Sequence, residues 1–246
     1  MNITRRVVPG LVLFLLTFSV AAQQRPTPQQ TWDWLIEGND TFKKGPDLDY
    51  EDIVGDRRDT AGSQSPRATI VGCADSRVPP ELVFHKSLGE LFVLRVAGNI
   101  VDEFALGSIE FAASGSPLNN WSNLVVVLGH SNCGAVAAAL GMPDLAGTHL
   151  QSVLTRIRES FGGLPAAFPY VPGGPQPVPA PLLRDAVEAN ALNVVAYIRA
   201  HSVRMREAEK RGDVQIRAAY YDFGTGQVTL VTPPPPRPRT AAAGTE

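Results

Sequence analysis

Apolar residues in this chain fall in short unbroken runs separated by stretches with helical spacing, a pattern that predicts strands alternating with helices. Ala68–Gly72 is one such run, Leu91–Val96 a second and Asn123–Gly129 a third. The first and third read as buried parallel strands, which lack polar alternation, and the second supplies a further strand. Between and after them, Glu103–Ser114 places Leu106, Ile109 and Ala113 on one side, and Gly134–Leu140 begins another helix. Pro181 to about Arg211 reads as one long helix with Val187, Ala191, Val194, Val195 and Ile198 facing a core. Val214–Tyr220 and Gln227–Val231, separated by Asp222–Gly226, read as a terminal hairpin-like pair. Ahead of the sheet, Gln29–Phe42 carries Trp32, Leu35 and Ile36 at helical spacing, an apolar stripe that needs a surface to pack on. The expected fold is α/β: a mixed, mainly parallel central β-sheet flanked by helices, with an N-terminal helical arm.

The two ends depart from this pattern. Arg5 and Arg6, the apolar stretch Leu11–Phe18 and the small residues Ser19–Ala22 predict a signal peptide over 1–22, with the mature chain starting near Gln23. That apolar stretch is short for a membrane span, so no stable anchor is expected after cleavage, and a periplasmic or secreted location follows. The paired arginines also raise the twin-arginine route, although the flanking residues match it poorly. Pro233–Glu246, with four consecutive prolines, reads as a disordered tail. Residues 162–181, rich in Pro and Gly, read as a surface insertion or a flap. One domain is left over 23–232. With 246 residues, 44% hydrophobic content and a formal charge of −2, the chain can fill one core and lacks the basic stripe of a nucleic-acid binder.

The chemistry gathers where two of the apolar runs end. Cys73 follows the first, and His130-Ser131-Asn132-Cys133 follows the third. In an open α/β sheet ligands gather outside the carboxyl ends of the strands, so the two runs bring two thiols and an imidazole to one edge. Three protein ligands of this kind suit a catalytic zinc, which keeps one coordination position open, whereas structural zinc is usually closed by four. In an oxidising compartment the alternative is a Cys73–Cys133 disulfide. His130 two residues from Cys133's neighbour, and Asp75 and Arg77 beside Cys73, favour zinc because a plain bridge requires none of them. His85, His149 and His201 read as surface histidines.

Taken together, Glu37-Gly38-Asn39, Cys73-Ala74-Asp75-Ser76-Arg77-Val78-Pro79, Arg95-Val96-Ala97-Gly98-Asn99, Gly107-Ser108-Ile109-Glu110-Phe111-Ala112 and Gly129-His130-Ser131-Asn132-Cys133-Gly134-Ala135 resemble the β-class carbonic anhydrases from about Glu37 to Val228. The resemblance implies Zn2+ held by Cys73, His130 and Cys133, and reversible hydration of carbon dioxide to bicarbonate by water activated on that zinc. It implies that Asp75, paired with Arg77, orients the nucleophile, and that Asp75 freed from Arg77 swings onto zinc as a fourth ligand in a closed, inactive state. It places Gln64, Phe92, Phe111 and Gly134 around the substrate, with a plant-type pocket, and it implies a homodimer or higher homo-oligomer whose neighbour supplies part of the lining. Phe111 stands where tyrosine is often found, and Val96 where asparagine is common. Ile70 replaces the tryptophan that marks an inhibitory bicarbonate site in some members, so that regulation is not expected. The same ligands serve related zinc hydrolases acting on carbonyl sulfide or carbon disulfide, the alternative activity; a non-enzymatic exported zinc-binding protein is a further one, which Asp75 and Arg77 disfavour.

Overall fold

A computed structural model describes residues 25–45, 56–113, 122–142, 145–161 and 178–232. The signal peptide expected over 1–22, the tail over 233–246 and nearly all of the 162–181 insertion lie outside them.

Five strands form one sheet. In chain order they are β1 (Ala68–Gly72), β2 (Leu91–Arg95), β3 (Leu124–His130), β4 (Gln215–Tyr221) and β5 (Val228–Leu230), and in space the order is β2-β1-β3-β4-β5. Pairs β1/β2, β1/β3 and β3/β4 are parallel, and β5 runs antiparallel to β4. The sheet is mixed and mainly parallel, as the apolar runs predict. All residues of β1 and of β3 are buried, which explains why neither run alternates with polar residues. Successive β3 residues feed opposite faces. Leu124, Val126 and Leu128 join one apolar cluster, while Val125 and Val127 join the other.

Helices cover both clusters. On one side lie α1 (Pro28–Lys43), α4 (Gly134–Gly141) and α5 (His149–Arg158); on the other lie α3 (Glu103–Ala112) and α7 (Val203–Arg211). The single-turn α2 (Pro80–Val83) follows the Cys73 loop, and α6 (Ala180–His201) contributes Leu183 and Val187 to the first cluster and Val194, Val195 and Ile198 to the second.

Two local outcomes differ from the sequence pattern. The helix expected from Pro181 to Arg211 breaks at Ser202, whose side chain caps α7 by accepting from Met205 N and also donates to the Glu110 carboxylate. A serine that satisfies the first N–H groups of a new helix stops the old one, and the partner on α3 fixes the break in three dimensions. The N-terminal helix finds its surface within its own chain. Leu35 is fully buried, and Asn39 donates to the carbonyls of Val83 and Gly226 and accepts from Val228 N.

Thr27 starts α1 with a capping box: its hydroxyl accepts from Gln30 N, and the Gln30 side chain accepts from Thr27 N. Gly38 lets this helix sit directly on the α2 turn, since a Cβ there would lie 1.8 Å from the Phe84 carbonyl oxygen. The obstacle is backbone and cannot rotate away. Gly38→Ala is therefore expected to lower the thermal midpoint by about 5 °C or more, while the exposed Glu37→Ala stays close to wild type; circular dichroism melts of both variants check it.

Candidate metal centre

The register of the central strands builds the site. Gly72, the last residue of β1, pairs with Leu128 of β3, so Cys73 leaves β1 as His130 ends β3 two residues further on. Chain order reverses between these two strands, because β2 lies on one side of β1 and β3 on the other. The crevice at such a reversal is where α/β sheets place their ligands. Ser131 and Asn132 then turn the chain, with Asn132 at φ 54°, and Cys133 becomes the N-terminal cap of α4. Asparagine is among the few side chains that adopt this left-handed backbone readily.

Cys73 Sγ, Cys133 Sγ and a ring nitrogen of His130 lie within 4.8 Å of one another, and all three residues are buried. At the usual bond lengths of about 2.3 Å to sulfur and about 2.0 Å to nitrogen, one zinc ion can reach all three with small adjustments. Both cysteines are free, so the alternative disulfide is not formed. His130 is turned for ligation: Nδ1 bonds the Ser131 carbonyl at 2.9 Å, which makes Nδ1 the donor and leaves Nε2 with its lone pair. That Nε2 is buried and has no hydrogen-bond partner. A buried acceptor without a partner is costly, and a bound cation would satisfy it, so the donor set fits a metal.

The two thiols sense each other strongly. Cys73 is drawn well below its ordinary pKa, first by the hydrogen bond from Cys133, then by the His130 imidazole and the N–H groups of Asp75 and Gly98, against the effect of burial. Cys133 is pushed up by that same hydrogen bond, by burial and by charge on Cys73. Two sulfurs this close cannot both hold negative charge cheaply without a cation between them.

Beside the ligands, Arg77 grips Asp75 with a two-pronged bond: Nε to Oδ1 at 2.9 Å and Nη2 to Oδ2 at 2.7 Å, with Arg77 N also reaching Oδ1 at 3.0 Å. These bonds hold the Asp75 carboxyl well below the usual carboxylate range. Arg77 also donates to the Asn132 carbonyl at 3.4 Å, which ties the Cys73 loop to the His130–Cys133 loop.

The remaining expected residues separate into three places. Gly134 opens α4 next to Cys133, whereas Phe92 on β2, level with Thr69 and so four residues short of Cys73, forms a tilted aromatic pair with Phe111 on α3, centroids 6.2 Å apart. Gln64 is exposed and lines a shallow hollow with Thr60–Ser63 and Gly89, to which no metal-cluster residue contributes. His85, His149 and His201 are exposed and lie outside the cluster.

Sequence reading missed the supports. Phe223 packs against His130 in a tilted arrangement with centroids 5.1 Å apart and lies under the Arg77 guanidinium at 4.3 Å. The only sequence signal for it was its place just after β4, whose Tyr221 pairs with His130. Arg95, noted only as part of a motif, donates from Nε to the Cys73 carbonyl at 2.8 Å and from Nη2 to the Asp75 carbonyl, so it pins the loop that carries both residues.

Fold and site together define an α/β protein with a buried Cys–His–Cys cluster, able to hold a metal ion, at a sheet switch point. The family profile described as "Carbonic anhydrase" matches residues 68–228, and the chain belongs to the β-carbonic anhydrase family. Carbonic anhydrase 2 of Mycobacterium tuberculosis is 43% identical over 136 residues, which cover 54% of this chain and 64% of that protein, less than two thirds of its length. A carbonic anhydrase of Mycolicibacterium smegmatis is 31% identical over 208 residues, covering 82% of this chain and 93% of that one. Among solved structures, a Coccomyxa β-carbonic anhydrase in complex with acetazolamide superposes with a TM-score of 0.60 at 27% identity, covering 74% of this chain and 81% of that chain.

Replacing any one ligand should remove the metal. Cys73→Ser, His130→Ala and Cys133→Ser are each expected to lose stoichiometric zinc, as read by elemental analysis of purified protein. Full zinc occupancy in His130→Ala would break the ligand assignment.

Proposed function

We propose that this protein is a zinc-dependent carbonic anhydrase that interconverts carbon dioxide and bicarbonate. The observation that carries the reading is the Asp75–Arg77 pair set beside the three metal-binding side chains, because a purely structural metal site has no need of an oriented carboxylate there. Zinc held by Cys73, His130 and Cys133 would supply a Lewis acid that lowers the pKa of water from about 15.7 to about 7.

The chain's own residues do the rest. Asp75 Oδ1 already accepts two hydrogen bonds from Arg77, while Oδ2 accepts one and keeps a lone pair free. Oδ2 accepts a hydrogen bond from the attacking water and so aims an oxygen lone pair at the substrate carbon. Arg77 keeps that carboxylate ionised and turned away from the ligand set. Released from Arg77, Asp75 would swing in as a fourth ligand and close the site. A small linear substrate suits a mostly apolar pocket, to whose lining this reading assigns Phe92, Phe111 and Gly134.

A second copy of the chain completes the arrangement. Phe104 is 86% exposed, Phe111 and Val96 40% each, and β2 is an edge strand with no neighbour beyond it among the described residues. A homodimer or larger assembly would cover this apolar, unpaired edge and bring a neighbour's Gln64 toward the pocket. Export by the leader at 1–22 places the enzyme in the periplasm or outside the cell.

Stopped-flow hydration assays on protein of measured zinc content test the proposal; metal-replete protein without hydration activity would overturn it. Asp75→Asn is expected to keep its zinc and lose about 100-fold in turnover, since an amide donates as readily as it accepts and cannot pair with Arg77 as an ion. Unchanged turnover would reduce the pair to a salt bridge.

The pH dependence follows from signs. The Asp75 pKa is depressed from 3.8, so its ion-pair contribution is present above that value and disappears only as pH falls through the lower folded value. Asp75 therefore stays a carboxylate throughout mildly acidic and neutral solution. Activity is expected to rise with pH through neutrality or above, because two thiolates leave zinc less acidifying than three imidazoles would. A profile that is flat from mildly acidic to alkaline buffer would contradict this mechanism.

A further inference from the structure

Behind Cys73 a chain of buried hydrogen bonds leads away from the metal centre into α6. Gly98 N donates to Cys73 Sγ at 3.3 Å. This residue stands in the left-handed region at φ 69°, and a Cβ on it would meet Ile157 Cδ1 at 2.5 Å, so only glycine can turn its N–H toward the sulfur here. The peptide that follows is held at both ends. Asn99 N donates to the Val96 carbonyl at 2.8 Å, and the Gly98 carbonyl accepts from Asn190 Nδ2 at 2.8 Å. Asn190 lies on α6, is 1% exposed, and accepts through Oδ1 from Ser160 Oγ at 3.0 Å; Ser160 in turn accepts from Asn193 at 3.4 Å.

Neither the ligand set nor the Asp75–Arg77 pair uses this chain of bonds. An asparagine so fully buried, on a helix otherwise facing the core with Ala186, Val187, Ala191 and Val194, is costly unless its bonds matter. Its donor reaches the turn whose amide donates to the Cys73 sulfur from outside the two ligand loops.

We propose that Asn190 is a positioning residue for the metal centre: by holding the Gly98 turn it keeps the Gly98 amide on Cys73 and so preorganises the thiolate for zinc. The inference rests on the assignment of Cys73 as a metal ligand. Outer partners of metal ligands typically change affinity by about 10- to 100-fold when removed. In Asn190→Asp a carboxylate oxygen replaces the donor and faces the Gly98 carbonyl, so the clamp is lost with almost no change in volume.

The test is zinc affinity by competition with a chromophoric chelator, together with the cobalt–thiolate absorption of Co2+-loaded protein, on wild type, Asn190→Asp and Val194→Ala. Val194→Ala opens a cavity in the same helix away from the network and measures plain loss of stability. Asn190→Asp is expected to bind one zinc with affinity lowered about ten-fold or more and to show a shifted cobalt–thiolate band, with Val194→Ala within about two-fold of wild type. Wild-type affinity in Asn190→Asp, or an equal loss in Val194→Ala, overturns the proposal. If Asn190→Asp does not fold, Ser160→Ala removes the hydroxyl that donates to Asn190 and accepts from Asn193 while leaving Asn190 itself in place: a loss of about three-fold supports the clamp, and unchanged affinity overturns it. A wild-type protein that binds no zinc at all overturns the metal assignment itself, which the affinity ratios cannot do.

Discussion

Parallel pairing of Gly72 with Leu128 puts the ends of β1 and β3 side by side, and the site depends on that register more than on any single bond. Strand side chains alternate between faces with a period of two, so a slip of one residue would turn the apolar set of a strand to the wrong face and shift the end that carries Cys73 past the end that carries His130 by about 3.3 Å. The strands resist slipping because both are buried along their whole length, with two apolar clusters gripping alternate residues. Core packing and metal chemistry are thus one constraint. The same Val and Leu residues that exclude water from the sheet also fix the spacing of the sulfur and nitrogen donors.

Electrostatics then sort the groups at the strand ends by depth. Cys73, His130 and Cys133 are buried, where uncompensated charge is expensive and a cation is the natural counterpart. Asp75 and Arg77 stand further out, with the Arg77 side chain 54% exposed, so their pairing is firm in geometry yet open to competition from water. A buried, charge-demanding Cys–His–Cys cluster thus stands beside a more exposed ion pair. Phe223 adds to this division: its ring packs on His130 and carries the Arg77 guanidinium on its face, so one aromatic side chain orients a ligand and shelters the ion pair.

Much of this was legible in the chain itself. Runs of apolar residues gave away β1 and β3 because fully buried strands have no polar alternation to blur them, and the ligand motifs sat at their ends; β2, a half-buried edge strand, was legible from its apolar run alone. The break at Ser202 was not legible, since its cause is a contact with Glu110 far along the chain. Gln64 could not be placed from sequence for a related reason: it lines a hollow to which no cluster residue contributes, and sequence order does not report such distances. Asn190 read as one more polar residue on a mostly apolar helix, because its meaning lies in the Gly98 carbonyl it meets 92 positions away. Local pattern reports which face is buried; it does not report which buried polar group is bonded to what.

Asn39 joins α1 to the carbonyls of Val83 and Gly226 and to the amide of Val228. Those three groups belong to the α2 turn and the β4–β5 turn, which lie at two ends of the stretch from 68 to 228 that defines the family. The stretch matched by the family profile is therefore smaller than the physical unit. Cutting the chain at residue 68 would leave three backbone groups without their partner and strip Leu35 and Trp32 from the core, so a piece that folds by itself has to include α1, some forty residues ahead of where the profile begins.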